Sequence, residues 1–255
     1  MIPYIRQRVR AGELLAGTFC NLGSSLTVEM AGRAGFDWVL VDLEHGAGDQ
    51  AALLHQIHAA GCTPAVVVVR VAWNDPVRFK RVLDLGPAGV MVPYVETQEE
   101  ARRAAAAMRY PPAGNRGVAK MNRANAFGRD FTEYFRTANE GLLTVVQIET
   151  VAALEHAEEI AAVEGVDVLF VGPLDLSISL GIPGETAHPR FRAALEKVAR
   201  AARGAGKASG ILAASKAEIG PLVELGYTFV ALGSDGGFVA GAMNEAAEAF
   251  RPFRK

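Results

Sequence analysis

Residues 65–95 read AVVVVRVAWNDPVRFKRVLDLGPAGVMVPYV, two short apolar runs joined by an amphipathic segment. Both runs, Ala65–Val71 and Gly89–Val95, are apolar at nearly every position, which is typical of parallel strands covered on both faces. Between them, Pro76 suits the first turn of a helix and Gly86 suits its C-terminal cap. The stretch therefore predicts one strand–helix–strand unit of a parallel sheet.

The same alternation extends along the whole chain. Six further apolar runs lie at Leu14–Phe19, Asp37–Leu43, Leu142–Ile148, Val166–Gly172, Ala208–Ala213 and Tyr227–Gly233. Ala-rich amphipathic segments separate them, and Thr97 with Glu100 fits a helix capping box. Eight strands alternating with helices favour a (β/α)8 TIM barrel, since the GxGxxG spacing of a doubly wound dinucleotide fold is missing. No linker-like break divides the chain, so we expect one barrel domain over residues 1–255.

The composition excludes several classes of partner. The 26 Lys and Arg nearly balance the 28 Asp and Glu, and this net charge of -2 gives no electrostatic case for nucleic acid. No apolar run approaches the ~18–20 residues of a membrane span, and the start lacks the apolar core of a signal peptide. Cys20 and Cys62 form neither a disulfide framework nor a CxxC metal site. We expect a cytoplasmic protein without nucleic-acid or membrane partners.

In a barrel of this kind, the chemistry takes place where the strands end. Five predicted strands run into turns that carry polar groups: Asp42, Glu44 and His45; Arg70; Gln147 and Glu149; Gly172, Pro173, Leu174 and Asp175; and Gly233, Ser234 and Asp235. Because parallel strands end at one face of the barrel, we expect these groups to meet at one mouth.

Glu149 and Asp175 follow neighbouring strands. Two carboxylates this close repel each other unless one is protonated or a cation bridges them. Oxygen ligands with open positions suit Mg²⁺ or Mn²⁺, completed by water and substrate. The alternative is that each carboxylate caps the helix that follows it.

His45 and Arg70 are the next candidates. His45 is the only histidine at a predicted strand end, where it could act as a general base near neutral pH. The alternative is a surface histidine that caps the next helix. Arg70 emerges from an apolar strand, so it needs an anionic partner. A carboxylate or enolate substrate would serve, and so would Glu44 or Glu149.

Two further features bear on the chemistry. None of the six lysines lies in a predicted strand, which argues against a lysine Schiff base and leaves metal-assisted enolate chemistry. The long segment Tyr110–Gly141 predicts either an active-site loop or an oligomer contact. Within it, Arg116, Arg123 and Asn125 could meet a distal carboxylate or hydroxyls of a substrate, or another subunit.

Several motifs carry a family resemblance: FDWVLVDLEHG (36–46), YPPAGNRGVA (110–119), VVQIET (145–150) and DVLFVGPLDLSISLG (167–181). Together they resemble the HpcH/HpaI aldolase family of metal-dependent class II pyruvate aldolases, from about Gly17 to Ser234. The resemblance implies a TIM barrel of the phosphoenolpyruvate/pyruvate superfamily. It also implies a homo-hexamer, a trimer of dimers, in which subunits exchange the last helix.

The resemblance also implies roles for single residues. Glu149 and Asp175 would bind the metal, Mg²⁺ or Mn²⁺ with Co²⁺ as an alternative, and His45 would be the base. Arg70 would stabilise the charge of the transition state. The residues implied to contact the 2-oxo acid are Arg70, Gln147, Gly172, Pro173, Leu174, Asp175 and Leu212.

Asp84 matches the aspartate that raises the basicity of the histidine in this family. It precedes the fourth predicted strand, so within one barrel it should lie at the end opposite His45. We therefore expect Asp84 to act from another subunit. Asp42 is the alternative residue that would orient His45.

The activity implied is reversible cleavage of a 4-hydroxy-2-oxo acid, through a metal-bound enolate, into an aldehyde and pyruvate or a related 2-oxo acid. The aldehyde stays open between a semialdehyde, a sugar-derived hydroxyaldehyde and a broad range. The alternatives are a citrate-synthase-like enzyme, an acyl-CoA lyase, for which no CoA site is evident, and a non-catalytic barrel that binds 2-oxo acids.

Overall fold

The computed structural model describes residues 4–254, which contain eight parallel strands closed into a barrel in chain order. The strands are β1 (Leu15–Cys20), β2 (Trp38–Asp42), β3 (Val66–Arg70), β4 (Gly89–Val92), β5 (Leu143–Ile148), β6 (Val168–Val171), β7 (Ala208–Ala213) and β8 (Tyr227–Ser234). β1 pairs with both β2 and β8, which closes the sheet. All eight apolar runs therefore form strands, and the predicted (β/α)8 TIM barrel is confirmed.

Helices follow the strands in alternation and cover the barrel. They are α1 (Arg6–Arg10), α2 (Ser25–Arg33), α3 (Gln50–Ala60), α4 (Pro76–Leu83), α5 (Gln98–Ala107), α6 (Phe131–Gly141), α7 (Val151–Glu155), α8 (Ala157–Ala161), α9 (Pro173–Ser179), α10 (Pro189–Gly204), α11 (Ile219–Leu225) and α12 (Asp235–Glu248). Short 3-10 turns lie at Arg123–Asn125, Lys216–Glu218 and Arg251–Phe253. The capping box of Thr97 and Glu100 is present at the start of α5. Within residues 4–254, no helix has the length and apolar character needed to cross a membrane.

Aromatic side chains fill the centre of the barrel. Trp38 is fully buried and stacks on Phe229, with 4.0 Å between the ring centroids. Phe170 meets the indole edge-on, at 6.4 Å. Gly17 of β1 lies so close to the indole that a Cβ at this position would overlap it. The position opposite Trp38 therefore requires a residue without a side chain.

The helix before the first strand covers the amino-terminal end of the barrel. Ile5 and Val9 join the apolar cluster that fills the interior. Arg6, also buried, donates from Nε to both oxygens of Asp167, at 2.8 and 2.9 Å. Asp167 also accepts the backbone N–H of Thr144 at 3.1 Å. This buried ion pair fixes α1 under the barrel, and the carboxyl ends of the strands form the mouth.

The last helix is the exception to this packing. Beyond Gly236, all residues of α12 are exposed, including Phe238 at 49% and Met243 at 67%. Within residues 4–254, about half of Phe238 and the larger part of Met243 stay uncovered. The helix after β8 therefore projects from the barrel instead of closing its outer layer.

Replacing Gly17 should test the central packing. We expect Gly17→Ala to destabilise the fold by ~1–3 kcal/mol, because the added methyl group forces the indole of Trp38 out of its position. Urea unfolding followed by tryptophan fluorescence measures the effect. Gly220→Ala is the matched control, since nothing lies within 4 Å of a Cβ on this exposed helical residue. The control should change stability by no more than ~1 kcal/mol. Equal effects of the two substitutions would contradict the proposed packing.

Candidate active site

The carboxyl ends of β2, β3, β5 and β6 bring charged and polar side chains to one mouth. Asp42 and Arg70 are the last residues of β2 and β3 and lie side by side in the sheet register. Gln147 belongs to β5 and Glu149 follows it directly. Gly172 begins the turn from β6 into α9. The parallel register therefore places residues far apart in sequence within hydrogen-bonding distance.

Arg70 is 9% exposed and binds two carboxylates. Its Nε and Nη2 donate to the two oxygens of Asp42 at 2.9 and 2.7 Å. Its Nη1 lies 3.1 Å from Glu44 Oε2 and 3.5 Å from Gln147 Oε1. Burial alone would lower the pKa of Arg70, but the hydrogen bonds and charge of Asp42 raise that pKa above its ordinary value. The guanidinium therefore stays charged and faces the mouth.

Asp42 also shapes the turn after β2. Its Oδ1 accepts the backbone N–H groups of Glu44 and His45 at 3.0 and 3.3 Å. Burial raises the pKa of Asp42, but the bonds and charge of Arg70, together with these two amides, hold it below its usual value. One ionised carboxylate thus fixes both the guanidinium and the turn that carries His45.

His45 extends from this turn with its side chain 70% exposed, and its Nε2 lies 3.8 Å from Glu44 Oε1. It does not cap the following helix, because Asp49 does so by accepting the N–H of Ala52 at 2.9 Å. The imidazole is therefore available to a molecule bound in the mouth.

Glu149 is the most deeply placed carboxylate of the mouth, at 2% exposure. Its Oε1 accepts the backbone N–H of Tyr94 at 2.8 Å, and its Oε2 accepts Gln147 Nε2 at 2.9 Å. Burial raises the pKa of Glu149 to about 7. The Tyr94 amide and Arg70 oppose the rise, while the charges of Asp175 and Glu44 add to it. The carboxylate is fixed in position, and its negative charge is poorly compensated by the protein.

Tyr94 belongs to the site although the sequence analysis did not single it out. Its φ of +50° is left-handed, which is rare for a large side chain and typical of functional sites. This conformation directs its N–H to Glu149. Its ring lies 6.0 Å from that of Trp73, between centroids. The contact comes from the main chain, so the residue type gives no signal for it; only the position shortly after β4 points to the mouth.

Neither carboxylate predicted to bind the metal acts as a helix cap. Thr150 caps α7 by accepting the N–H of Ala153 at 3.1 Å. Gly172 occupies the corresponding position of α9 and has no side chain to contribute. Asp175 lies in the first turn of α9, half-buried, and its charge raises the pKa of Glu149 and of Glu44. The capping alternative is therefore wrong for both.

Glu149 and Asp175 could hold one divalent cation between them. A cation would relieve the burial and repulsion that raise the pKa of Glu149. Gly172 keeps this space open, since a Cβ there would lie 2.5 Å from Glu149 Oε2. No group of three or more His, Cys, Asp or Glu side chains in residues 4–254 is arranged to hold a metal. Two carboxylates, completed by water and a bound anion, provide the oxygen ligands that Mg²⁺ and Mn²⁺ prefer.

The other predicted substrate contacts lie at the rim and the wall of the mouth. Pro173 is the first residue of α9, and Leu174 after it is 61% exposed. Leu212 is half-buried in β7 and packs against the apolar interior of the barrel. These three residues could contact a bound molecule without adding charge to the site.

Asp84 lies at the opposite end of the barrel. It caps α4 shortly before β4 begins and is bound by Arg116 Nη2 at 3.2 Å and Asn122 Nδ2 at 3.1 Å. Within one chain, Asp84 and His45 are therefore separated by the length of the barrel, as expected from their places in the sequence.

Of the two alternatives for segment Tyr110–Gly141, an active-site loop is wrong for the barrel of its own chain, and an oligomer contact stays a prediction. The segment follows a helix and leads into a strand, so it lies at the amino-terminal end. There Arg123 Nη1 donates to the carbonyl of Leu85 at 2.6 Å. Asn125 is fully buried in the segment itself. A cavity of about 890 Å³ between this segment and the start of β3 and β4 is likewise remote from the mouth.

Known proteins resemble this chain in sequence and in fold. The family model described as HpcH/HpaI aldolase/citrate lyase matches residues 15–242. A 5-keto-4-deoxy-D-glucarate aldolase of Klebsiella pneumoniae is 42% identical over 241 residues, which cover 94% of each chain.

Solved structures place the fold in the same group. An HpcH/HpaI aldolase/citrate lyase family protein of Burkholderia cenocepacia J2315 superimposes with a TM-score of 0.92 at 37% identity, covering 97% of this chain and 98% of the other. Citrate synthase SbnG superimposes with a TM-score of 0.87 at 27% identity, covering 98% of each chain.

Filling the space beside Glu149 should disrupt the candidate cation site. We expect Gly172→Ala to weaken binding of Mn²⁺ at least ~10-fold, because the methyl group displaces the carboxylate from its donors. Titration calorimetry measures the affinity, and circular dichroism checks the fold. Gly204→Ala, where nothing lies within 4 Å of a Cβ, is the control and should bind Mn²⁺ normally. Unchanged affinity in Gly172→Ala would exclude this position for the cation.

Proposed function

Because this chain belongs to the HpcH/HpaI aldolase/citrate lyase family, we propose that it is a class II pyruvate aldolase, a carbon–carbon lyase. It reversibly cleaves 4-hydroxy-2-oxo acids into an aldehyde and pyruvate or a related 2-oxo acid. The observation that carries the proposal is the buried Glu149, held rigidly beside Asp175 and Arg70 with its charge poorly compensated. This arrangement suits a cation and an anionic substrate together.

Glu149 and Asp175 are the ligands that we assign to Mg²⁺ or Mn²⁺, with Co²⁺ as an alternative. When bound, the cation supplies Lewis acidity toward the carboxylate and the C2 oxygen of the 2-oxo acid, which makes the C3 hydrogens more acidic. Gln147 keeps Oε2 of Glu149 in place, and the amide of Tyr94 keeps Oε1 in place.

Arg70 and the turn into α9 bind the 2-oxo acid. The guanidinium of Arg70 is preorganised by Asp42, so it stabilises negative charge as this develops on oxygen. Gln147 and the backbone around Leu174 and Asp175 contact the carboxylate end of the substrate. Leu212 and Pro173 exclude water from its apolar part.

His45 moves the proton in both directions. In cleavage it accepts the proton of the C4 hydroxyl, the C3–C4 bond breaks, and its electron pair passes into the pyruvate enolate as the aldehyde leaves. The proton then returns to C3 to give pyruvate. Asp42 orients the turn, since it accepts the N–H of His45 itself.

The aldehyde that we propose is sugar-derived and is at the same time a semialdehyde. Cleavage of a 5-keto-4-deoxy-glucarate between C3 and C4 gives pyruvate and a three-carbon hydroxy-semialdehyde that keeps the distal carboxylate. The Klebsiella relative is named for 5-keto-4-deoxy-D-glucarate, and it is 42% identical over 94% of this chain. We therefore propose that a hydroxylated 2-oxo sugar acid of this type is the substrate to test first. Preference for a semialdehyde without the hydroxyl group, or activity with a broad range of aldehydes, is the other outcome of that test.

The working protein is an assembly of single-domain barrels, each formed by residues 1–255. The exposed apolar side chains of α12 support exchange of this helix between subunits of a hexamer, a trimer of dimers.

Both cysteines are free, which supports a reducing cytoplasmic location. The near-zero net charge of the chain supports the proposal that neither nucleic acid nor a membrane surface is a partner.

Citrate synthesis is the second function that a specific observation favours, since the citrate synthase SbnG superimposes with a TM-score of 0.87. It ranks below aldol cleavage because its identity to this chain is 27%, against 42% for the aldolase relative. An acyl-CoA lyase and a non-catalytic barrel that binds 2-oxo acids have less support.

One assay separates these functions. The protein is incubated with Mg²⁺ or Mn²⁺ and a panel of 4-hydroxy-2-oxo acids, and pyruvate release is followed with lactate dehydrogenase. We expect release from the sugar-acid member of the panel and its loss with a chelator. Tight oxalate binding without any pyruvate release would instead favour the non-catalytic barrel, and citrate formation from oxaloacetate would favour the synthase.

The roles of His45 and Glu149 should separate in two variants. We expect His45→Ala to lose ~10²–10⁴-fold in kcat while it binds Mn²⁺ normally, because only the proton acceptor is missing. Glu149→Ala should lose both activity and Mn²⁺ binding. Steady-state kinetics and calorimetry measure the two effects. Normal turnover of His45→Ala would remove the histidine from the mechanism.

Asp84 should complement His45 between subunits. His45→Ala and Asp84→Asn proteins are each expected to have low activity, and their mixture, after reassembly, should regain activity at about a quarter of the sites. Pyruvate release before and after mixing measures the recovery. A mixture of His45→Ala with Arg70→Lys is the control and should stay inactive, since both residues serve the site of their own chain. No recovery in the first mixture would leave Asp42 as the residue that orients His45.

A further inference from the structure

Asp235, which follows β8, has no role in the proposed chemistry, yet it is the only buried residue of α12 among those described. Its exposure is 6%. Its Oδ1 accepts the backbone N–H groups of Asn21, at 2.8 Å, and Leu22, at 3.3 Å. Its Oδ2 accepts the hydroxyl of Thr27 at 2.6 Å. One carboxylate therefore attaches the start of the last helix to the loop that follows β1.

This loop is in turn joined to the loop that carries His45. The carbonyl of Asn21 accepts the N–H of Ala47 at 2.8 Å. The two loops also touch through glycines, because a Cβ on Gly23 would lie 2.9 Å from the Cα of Gly48. The contacts run from Asp235 through Asn21 to Ala47, two residues beyond His45.

His45 depends on its backbone for its position. Its side chain is 70% exposed, with Glu44 at 3.8 Å as the nearest charged group. The turn is held from one side by Asp42, which accepts the N–H of His45 at 3.3 Å. The contact between Ala47 and Asn21 holds the other side. A small displacement of this loop would therefore move the imidazole relative to a bound substrate.

We infer that Asp235 is a positioning residue that fixes the His45 loop and links it to the last helix. Beyond Gly236 the helix α12 is exposed, so Asp235 is its one buried side chain among the described residues and connects the helix to the loops of the mouth. The inference rests on the proposed function for its catalytic consequence. The link between the two loops can be measured without any activity.

Asp235→Asn tests the inference, because it keeps the shape of the side chain and replaces one acceptor oxygen with a donor. We expect kcat for pyruvate release to fall ~10- to 100-fold, since misplacement of a reacting group by about 1 Å has an effect of this size. KM for the 4-hydroxy-2-oxo acid and the affinity for Mn²⁺ should stay within ~2-fold. Hydrogen exchange at the Ala47 amide should become faster.

Asp167→Asn is the matched control. Asp167 is also a buried carboxylate that accepts several hydrogen bonds, but it lies at the amino-terminal end of the barrel. In this variant kcat should be unchanged, and hydrogen exchange at the Ala47 amide should stay as slow as in the wild-type protein. If Asp235→Asn does not fold, Thr27→Val, which removes a single donor to Asp235, is measured in the same way and should give a smaller change in the same direction.

Three results would overturn the inference: unchanged kcat, a lower kcat with unchanged Ala47 exchange, or an equal loss of kcat in Asp167→Asn. If the wild-type protein releases no pyruvate from any acid, the proposed function fails instead. Ala47 exchange then still decides whether Asp235 holds the loop.

Discussion

The pairing of Arg70 with Asp42 is the interaction on which the mouth of the barrel depends. The two residues end adjacent strands, and the parallel register sets them side by side. Either charge alone would be costly to bury, whereas together they satisfy each other through two short hydrogen bonds. The same carboxylate then holds the turn that carries His45. Removal of one partner would therefore disturb the guanidinium and the imidazole together.

Charge in the mouth is strongly unbalanced. Asp42, Glu44, Glu149 and Asp175 place four carboxylates around the single guanidinium of Arg70. An anionic 2-oxo acid would meet repulsion from this group. A divalent cation between Glu149 and Asp175, as proposed, would offset most of this excess where the substrate binds, and it would account for why Glu149 is fixed by two hydrogen bonds while its charge is poorly compensated. The near-neutral composition of the whole chain conceals this local excess.

Hydrophobic pattern was enough to predict the barrel, because each strand is covered on both faces and reads as a short apolar run. It also predicted the mouth, since Asp42, Arg70 and Glu149 stand directly at strand ends. The pattern does not give the register of the strands, so it offers Glu44 or Glu149 as a protein partner of Arg70 and does not predict the pairing with Asp42. The length of segment Tyr110–Gly141 alone predicts a functional loop but not its place. The segment follows a helix and leads into a strand, and this order places it at the amino-terminal end of the barrel, away from the mouth.

The role of Tyr94 cannot be predicted from its residue type, because the main chain makes the contact. This has a consequence for how such a site can change. Its amide, not its side chain, holds Glu149, so the contact survives any residue that tolerates the same backbone conformation. The ring of Tyr94 lies beside Trp73 and takes no part in holding Glu149. The exposed side chain can therefore be exchanged in evolution without loss of the hydrogen bond to the carboxylate beneath it. At this one position the backbone serves the carboxylate, and the side chain is free to vary.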